Sequence, residues 1–354
     1  MHAIFRSLKT PPPDLTIEEA AALLQDHYGL SGALSPLASE RDLNFLVRPA
    51  SGGACVLKFA NASEPVAVTD FQNEALIHLA RVRPDLPVPR VVDAIAGDRL
   101  VRFTAADELR YSMRLLTWLE GLPLQGVEKN DDIAAQTGTC LAELGLALAG
   151  FEHPAADYPL LWDIRNAAHL RELLPHVQDV ALRKLCESRL DRFESHTRSV
   201  LVGLRKQVIH NDFNPSNMLV AEDDVQRLAG VIDFGDMVYS ELVNDVAVAA
   251  AYFCKLDSDP FAQVIPLLSA YSAVSPLTDE EIAVLPDMIL TRHLTTVMIT
   301  HWRASLYPEN REYILRNEAR ARNMLRRVAD LPVDETRDRF YEACRAAETR
   351  EQTS

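Results

Sequence analysis

The chain has 354 residues, 48% of them apolar. This length is enough for two packed lobes but short for three independent domains. Its five cysteines, an odd number without paired metal-ligand spacing, exclude a closed disulfide framework and favour the reducing cytoplasm. A formal net charge of −15 without a basic stripe argues against nucleic acid as a partner. The sequence contains no run of 18 uncharged apolar residues, so no membrane span is predicted.

The elements predicted up to residue 120 are those of a sheet with helices. Thr16 is a predicted N-cap with Glu19 three residues later, and apolar residues follow at helical spacing up to Gly29. Residues 69–82 show the same helical spacing. Short apolar runs between turn-prone segments predict antiparallel strands at 34–37, 44–49, 54–60, 90–95, 100–103 and 113–119.

The pattern changes after residue 130. Long amphipathic helices are predicted at about 131–150, 164–175 and 178–203, followed by a β-rich segment at 207–233 and further helices to the end. The boundary is expected near Glu120 and Gly121. The predicted fold class is therefore α+β, with lobes at 1–120 and 121–354.

The clearest chemical signal lies in VIHNDFNPSNMLV and the following LAGVIDFGDMVYS. It contains His210, Asp212, then Asn217 five residues beyond that aspartate, and Asp233 in an Asp-Phe-Gly sequence. Phosphoryl transfer needs a carboxylate for the attacking hydroxyl and an amide and a second carboxylate for Mg²⁺. Asp212 is therefore the predicted base, and Asn217 and Asp233 are the predicted metal ligands. His210 is interpreted as a structural hydrogen-bonding anchor.

These residues resemble those of the protein-kinase-like phosphotransferases, the family of aminoglycoside phosphotransferases and choline kinase, and the resemblance covers nearly the whole chain. IHNDFNPSN, VIDFGDMVYS and LLWDIRNAAHLREL are most similar to hydroxylysine kinase. The resemblance implies a bilobal protein-kinase-like fold, with a nucleotide-binding lobe at 1–120 and a larger, mainly helical catalytic and substrate-binding lobe at 121–354. It also implies Mg²⁺ and ATP or GTP as phosphate donor.

The same resemblance assigns the nucleotide-binding residues. Lys58 would contact the phosphates and Glu74, sixteen residues later, would pair with it. The phosphate-covering turn would be residues 39–42, with the Ser39 hydroxyl near phosphate, although this turn contains no glycine. Backbone groups from Leu116 to Trp118 would bind the edge of the base.

One position departs from the family pattern. Asn211 stands where glycine commonly separates the histidine and the aspartate, and asparagine tolerates the left-handed backbone better than other non-glycine residues. Asp245 begins an apolar helix and is interpreted as a brace for the catalytic loop near the helix N-terminus.

The acceptor-binding residues are predicted to be Trp162, Asp163 and Asn214. A tryptophan beside a carboxylate suits an ammonium group, whereas the alternative makes Asp163 only the N-cap of the helix from Ile164. The segment TRHLTTVMITHWRA places Arg292, His293, Trp302 and Arg303 at helical spacing. One of its two arginines could clamp a substrate carboxylate. The alternative is that these residues are the polar rim of a core helix.

The leading hypothesis is a small-molecule kinase that phosphorylates a hydroxyl of an amine-bearing metabolite. Hydroxylysine is the first candidate, with homoserine, choline, ethanolamine or an aminoglycoside as alternatives. A kinase fold without activity, serving as a binding module, is disfavoured because Lys58, Asp212, Asn217 and Asp233 are all present. A metal-dependent hydrolase lacks a second histidine cluster. The expected partners are a small molecule and a nucleotide, and the oligomeric state is not indicated.

Overall fold

The computed structural model describes residues 3–5, 10, 12–39, 41–50, 52–105, 107–329 and 331–351. They form two compact units. The first comprises Met1–Gly121 together with Phe151–Tyr158 and Gly230–Gly235, and the second comprises Leu122–Gly150, Pro159–Ala229 and Asp236–Ser354. The short segment that carries Asp233 therefore belongs to the N-terminal unit, although it lies late in the sequence.

The first unit is an antiparallel sheet with two helices. Its strands are hydrogen-bonded in the order β1-β2-β3-β6-β4, and β5 also pairs with β6. The elements are α1 (Ile17–Tyr28), β1 (Gly32–Leu37), β2 (Leu43–Pro49), β3 (Cys55–Phe59), α2 (Val66–Val82), β4 (Val91–Val92), β5 (Val101–Thr104) and β6 (Arg110–Thr117). Every element predicted in this region is present within three residues at each end.

The sequence explains how this sheet acquires a core. Alternate residues of the central strands point to one face, so β2, β3 and β6 each contribute two buried side chains to one cluster. These side chains are Phe45, Val47, Leu57, Phe59, Met113 and Leu115. Helix α1 packs Ala20, Leu24 and Tyr28 against the cluster and begins at the predicted capping box of Thr16 and Glu19. It ends at Gly29, whose φ of 66° is the left-handed conformation that glycine adopts readily.

The second unit is mainly helical, with short strands. Strands β8 and β11 form one antiparallel pair, and a three-stranded sheet has the order β10-β9-β7. Its strands are β7 (Leu122–Pro123), β8 (Lys206–Ile209), β9 (Met218–Val220), β10 (Leu228–Val231, whose last two residues count with the first unit) and β11 (Val238–Glu241). Its helices are α3 (Asp131–Leu148), α4 (Val180–Arg192), α5 (Arg198–Leu201), α6 (Leu242–Phe253), α7 (Val264–Val274), α8 (Asp279–Leu306), α9 (Arg311–Ile314), α10 (Glu318–Ala329) and α11 (Val333–Glu351).

Helix α8 forms the core of the second unit. By length and composition it is the one helix among the described residues that is apolar enough to cross a membrane, and 89% of its most apolar window is buried inside the structure. It starts at a second capping box, formed by Thr278 and Glu281. Helix α6 is similarly enclosed, since eleven of its twelve residues are buried. Each of these two helices carries a polar residue, Asp245 in α6 and Arg292 in α8, that contacts the loop between β8 and β9.

The structure corrects two helix predictions. Residues 164–175 are not an amphipathic α-helix, because Ile164–His176 is 3₁₀-helical and contains Pro175, which lacks the N–H of an α-helical turn. The predicted helix at 178–203 is interrupted after Arg192 by a π-helical turn, Phe193–Thr197, before α5. Side-chain periodicity alone does not distinguish these helix types over so few turns.

Helix α3 contains two glycines that provide a matched test of packing. A Cβ built on Gly138 would overlap the Leu267 carbonyl oxygen of α7, whereas one on Gly145 would lie 3.6 Å from Nε2 of Gln207, an ordinary contact. We expect Gly138→Ala to lower the free energy of unfolding by about 1–3 kcal/mol, because α3 and α7 must separate. Gly145→Ala should be neutral or stabilising by about 0.5–1 kcal/mol. Thermal unfolding of both variants checks this, and equal melting temperatures would contradict the proposed close approach.

Candidate active site

The catalytic loop connects β8 to β9 in the second unit and contains Asp212 and Asn217. The Asn217 Nδ2 donates to the Asp212 backbone oxygen at 3.0 Å and to its Oδ2 at 2.8 Å. The donor lies five residues after the acceptor, as in the sequence motif, so the loop curls back on itself between them. They leave Asn217 Oδ1 as the oxygen of that side chain that suits a cation.

Asp245 holds the backbone of this loop from helix α6. Its two carboxylate oxygens accept hydrogen bonds from the His210 N–H at 2.9 Å and the Asn211 N–H at 2.6 Å. Burial raises the pKa of Asp245 despite the opposing effects of His210 and these N–H donors. The structure thus places Asp245 in the bracing role expected from the sequence.

The backbone at Asn211 is left-handed, with φ of 64°, as its replacement of glycine suggested. Its side chain is fully buried, and neither polar atom has a hydrogen-bond partner among the described residues. His210 is also fully buried, accepts from the Asp212 N–H at Nδ1 (3.3 Å) and packs edge-on against Phe213. These contacts are those of the structural anchor that was predicted.

Arg292 of α8 contacts the predicted base directly. Its Nη2 lies 3.0 Å from Asp212 Oδ1 and donates to the Tyr252 hydroxyl at 3.3 Å. The guanidinium also lies 4.9 Å from the ring centre of Trp162 and 5.8 Å from that of Tyr252. Such distances are within the range of cation–π attraction. Asp212 therefore has one oxygen bonded to Asn217 and the other to Arg292.

In the first unit, Lys58 of β3 pairs with Asp233. The Lys58 Nζ lies 3.2 Å from Asp233 Oδ1, with the lysine side chain 10% exposed and the aspartate 52% exposed. Asp233 has φ of 62°, in the left-handed region. A residue other than glycine keeps this strained backbone conformation only when contacts with its surroundings offset the energetic cost. The carboxylate is thus accessible while the lysine that faces it is buried.

A buried polar network supports this pair. Gln72 of α2 donates to the Gly235 backbone oxygen at 3.0 Å and accepts from Arg114 of β6 at 2.6 Å. Asn73 accepts from the other terminal nitrogen of Arg114 at 3.0 Å. A Cβ on Gly235 would lie 3.1 Å from Asp233 Oδ1 and 3.9 Å from an Arg41 nitrogen, so the glycine leaves room for both side chains.

The predicted pairing of Lys58 with Glu74 is not present. Glu74 is partly exposed and accepts from Arg99 at 3.2 Å, because the helical rotation turns it away from the buried face of α2 that carries Gln72. Sequence reasoning missed the role of Gln72 and of Arg114. A signal existed for Arg114, which is the one charge in the predicted strand 113–119.

The residues predicted to cover the phosphates and to bind the base make the following contacts within the first unit. Ser39 is exposed, and its hydroxyl accepts from the Asp42 N–H at 3.2 Å, so it caps the turn, while Glu40 lies outside the described residues. Leu116 is buried and pairs with Val56 of β3 and Val91 of β4. The Trp118 N–H donates to the Ala54 oxygen at 3.0 Å, so this donor is used within the sheet rather than for a base.

The acceptor residues predicted from LLWDIRN do not form an ammonium pocket. Asp163 is completely buried, and its Oδ1 accepts from the Arg165 N–H, the Ser240 hydroxyl and the Asn244 amide. It is the N-cap of the 3₁₀ helix that follows, which was the alternative interpretation. One face of Trp162 is covered by Arg292. Asn214 Oδ1 accepts from the Ser216 N–H at 2.8 Å and so stabilises the loop itself.

Comparison with known proteins identifies the family. The model of the phosphotransferase enzyme family matches residues 33–274. The chain belongs to this family. Hydroxylysine kinase from Danio rerio is 25% identical over 349 residues, covering 95% of this chain and 98% of that protein. Homoserine kinase from Rhizobium rhizogenes is 30% identical over 211 residues, 57% of this chain and 59% of that protein.

The solved structures agree in fold with this phosphotransferase. Amicoumacin kinase in complex with AMP-PNP and Ca²⁺ superposes with a TM-score of 0.67 at 13% identity, over 90% of this chain and 95% of that chain. The predictions of an α+β protein-kinase-like fold, of a phosphotransferase and of a small-molecule kinase are confirmed. The phosphotransferase carries Asn217 in its second unit and Asp233 in its first.

The buried Asp163 provides a pH-dependent test of its capping role. Burial raises its pKa to about 6 from an ordinary 3.8, against the opposing effect of Arg165. As pH rises from 3.8 towards 6, the unfolded chain ionises first, so this carboxyl makes the folded state progressively less stable, by about 3 kcal/mol at most. Asp163→Asn does not titrate, so the stability of wild type relative to the variant should fall between pH 4 and pH 7.

The measurement is the difference in melting temperature between wild type and Asp163→Asn across that pH range. A constant difference would show that the carboxyl titrates normally, and a difference that grows in favour of wild type would reverse the assigned direction. Asp223→Asn is a matched control, because that carboxylate is 81% exposed and pairs with the exposed Arg227.

Proposed function

We propose that this phosphotransferase transfers the γ-phosphate of ATP or GTP to a hydroxyl of a small amine-bearing metabolite, with hydroxylysine as the first candidate. The observation that supports this most directly is the loop in which Asn217 holds both the backbone and the carboxylate of Asp212. A carboxylate fixed in this way is positioned to orient an attacking hydroxyl and to accept its proton. Asp245 and Arg292 then act as positioning residues for Asp212.

The first unit supplies the proposed phosphate-binding residues. Lys58 is a buried cation whose Nζ faces the accessible Asp233, so a phosphate oxygen and a divalent cation would each find a partner of opposite charge there. Asp233 in the first unit and the Oδ1 of Asn217 in the second each offer an oxygen of the kind that Mg²⁺, a hard cation, prefers. When bound, Mg²⁺ neutralises negative charge on the phosphates.

The choice of acceptor rests on the relatives. The hydroxylysine kinase of Danio rerio matches nearly the full length of both proteins, whereas the homoserine kinase matches little more than half. Homoserine, choline, ethanolamine and aminoglycosides remain alternative acceptors. A binding module without activity is disfavoured, since no residue of the proposed chemistry is lost. None of the five cysteines forms a disulfide among the described residues, which supports a cytoplasmic location.

Nucleotide consumption measured against hydroxylated amines and amino acids, with ATP and with GTP, tests the proposal. In that assay Asp212→Asn should lower kcat by a factor of ~10² to 10⁴, because a positioned proton acceptor is lost. Nucleotide affinity should be nearly unchanged. Asp223→Asn, on an exposed loop of the same unit, is the control and should behave as wild type. Wild-type turnover by Asp212→Asn would remove Asp212 from the mechanism.

A second test isolates the first unit. Asp233→Ala should abolish the Mg²⁺-dependent part of nucleotide binding measured by calorimetry, since it removes the charged ligand that faces Lys58. Asp85→Ala, which removes a 65% exposed carboxylate paired with Arg83, should leave binding unchanged. If Asp233→Ala retains the affinity of wild type for Mg-nucleotide, the metal assignment fails whichever acceptor the enzyme uses.

A further inference from the structure

Arg292 carries donors that its neighbours do not use. The side chain is 4% exposed, and its Nη2 is engaged by Asp212 and Tyr252. Its Nε and Nη1 are buried and have no hydrogen-bond partner among the described residues. Since Nε bears one hydrogen and Nη1 bears two, three N–H bonds of a buried cation point at no acceptor.

Such an arrangement is costly unless a ligand completes it. Each buried donor without an acceptor costs on the order of 1–3 kcal/mol, and more when the group is charged. The aromatic faces of Trp162 and Tyr252 interact with the cation but offer no oxygen to Nε or Nη1. Among the described residues, Asp212 provides the one carboxylate that forms an ion pair with Arg292, and that carboxylate also accepts a hydrogen bond from Asn217.

The surroundings also define where such a ligand would enter. Trp162 and Tyr252 are only partly buried, and the Asp212 side chain is 23% exposed, so this side of the cluster is open to solvent. The missing group is an anionic oxygen acceptor of small size. It must lie close to the carboxylate that orients the attacking hydroxyl.

We propose that Arg292 binds the carboxylate of the acceptor, so that the acceptor is a hydroxy amino acid rather than a simple amino alcohol. This inference rests on the proposed kinase function. Arginine matches a carboxylate by charge and by the geometry of its planar donors. Because Arg292 and the acceptor hydroxyl share Asp212, a single small molecule can carry both groups. Arg303, the other candidate arginine, lies eleven residues along α8, about 16 Å away.

Matched pairs of acceptors that differ only in the carboxylate test the proposal. Homoserine is compared with 3-aminopropan-1-ol, and 5-hydroxylysine with 1,5-diaminopentan-2-ol. We expect kcat/KM of the wild-type enzyme to favour the amino acid of the better pair by at least about 10²-fold, because the amine leaves the buried Nε and Nη1 donors of Arg292 without an acceptor. Equal kcat/KM for both members, with phosphate transferred, would overturn the proposal and leave the kinase assignment intact.

Variants separate carboxylate binding from the support of Asp212. Arg292→Lys keeps a charge without the planar donors, and Arg292→Met removes both. Turnover of both acceptors should fall in each variant because Asp212 loses a partner, so the informative quantity is the ratio of kcat/KM within a pair. That ratio should collapse towards one, whereas Arg303→Met should preserve it. An unchanged ratio in soluble Arg292 variants would reduce Arg292 to a positioning residue.

Two further measurements determine which anion Arg292 binds. If Arg292→Lys raises KM for the nucleotide but not for the amino acid, the anion bound is a phosphate and the proposal is wrong. If the wild-type protein consumes no nucleotide with any acceptor, the proposed function fails separately. In that case calorimetric titration with homoserine and with 3-aminopropan-1-ol still decides the inference, since selective binding of homoserine that Arg292→Lys abolishes supports it. Equal binding, or none, overturns it.

Discussion

The two hydrogen bonds from the predicted catalytic loop to Asp245 are the constraint on which the conformation of that loop depends. Backbone N–H groups of consecutive residues can reach one carboxylate only if the chain turns sharply, and Asn211 makes that turn in the left-handed conformation. The carboxylate lies in the first turn of α6, where the helix dipole favours negative charge. Burial still raises the pKa of this carboxyl against these favourable contacts.

The first unit contains two buried cations whose polar groups need partners. Its sheet buries Lys58 and Arg114, two cations, close to Asp233. Neutral amides on α2 accept the hydrogen bonds of Arg114. Gln72 has both an acceptor and a donor on one side chain, so it joins Arg114 to the backbone of Gly235. A carboxylate at that position could accept from Arg114 but could not donate to a carbonyl oxygen.

Motifs that act over a few residues were predicted well, and contacts between distant segments were not. Asp212 and Asn217 lie in one loop, so their spacing reveals their hydrogen bonds, and the capping box at Thr16 is equally local. Glu74 was assigned from its distance along the chain to Lys58, but the rotation of α2 decides which of its residues face the sheet. The cation on the ring of Trp162 comes from α8, much later in the chain. Nothing in the local sequence indicates that an arginine covers that ring.

The segments that return to the first unit affect how this enzyme can be divided. A fragment ending at Gly121 would contain the whole six-stranded sheet but would lack Gly230–Gly235, and so would leave Lys58 without Asp233 and Gln72 without the Gly235 carbonyl. It would also lack Phe151, whose ring stacks on the fully buried Phe71. Chimaeras that exchange the first unit between relatives therefore need to transplant three separate stretches of chain. A single crossover would combine one parent's lysine with the other parent's aspartate.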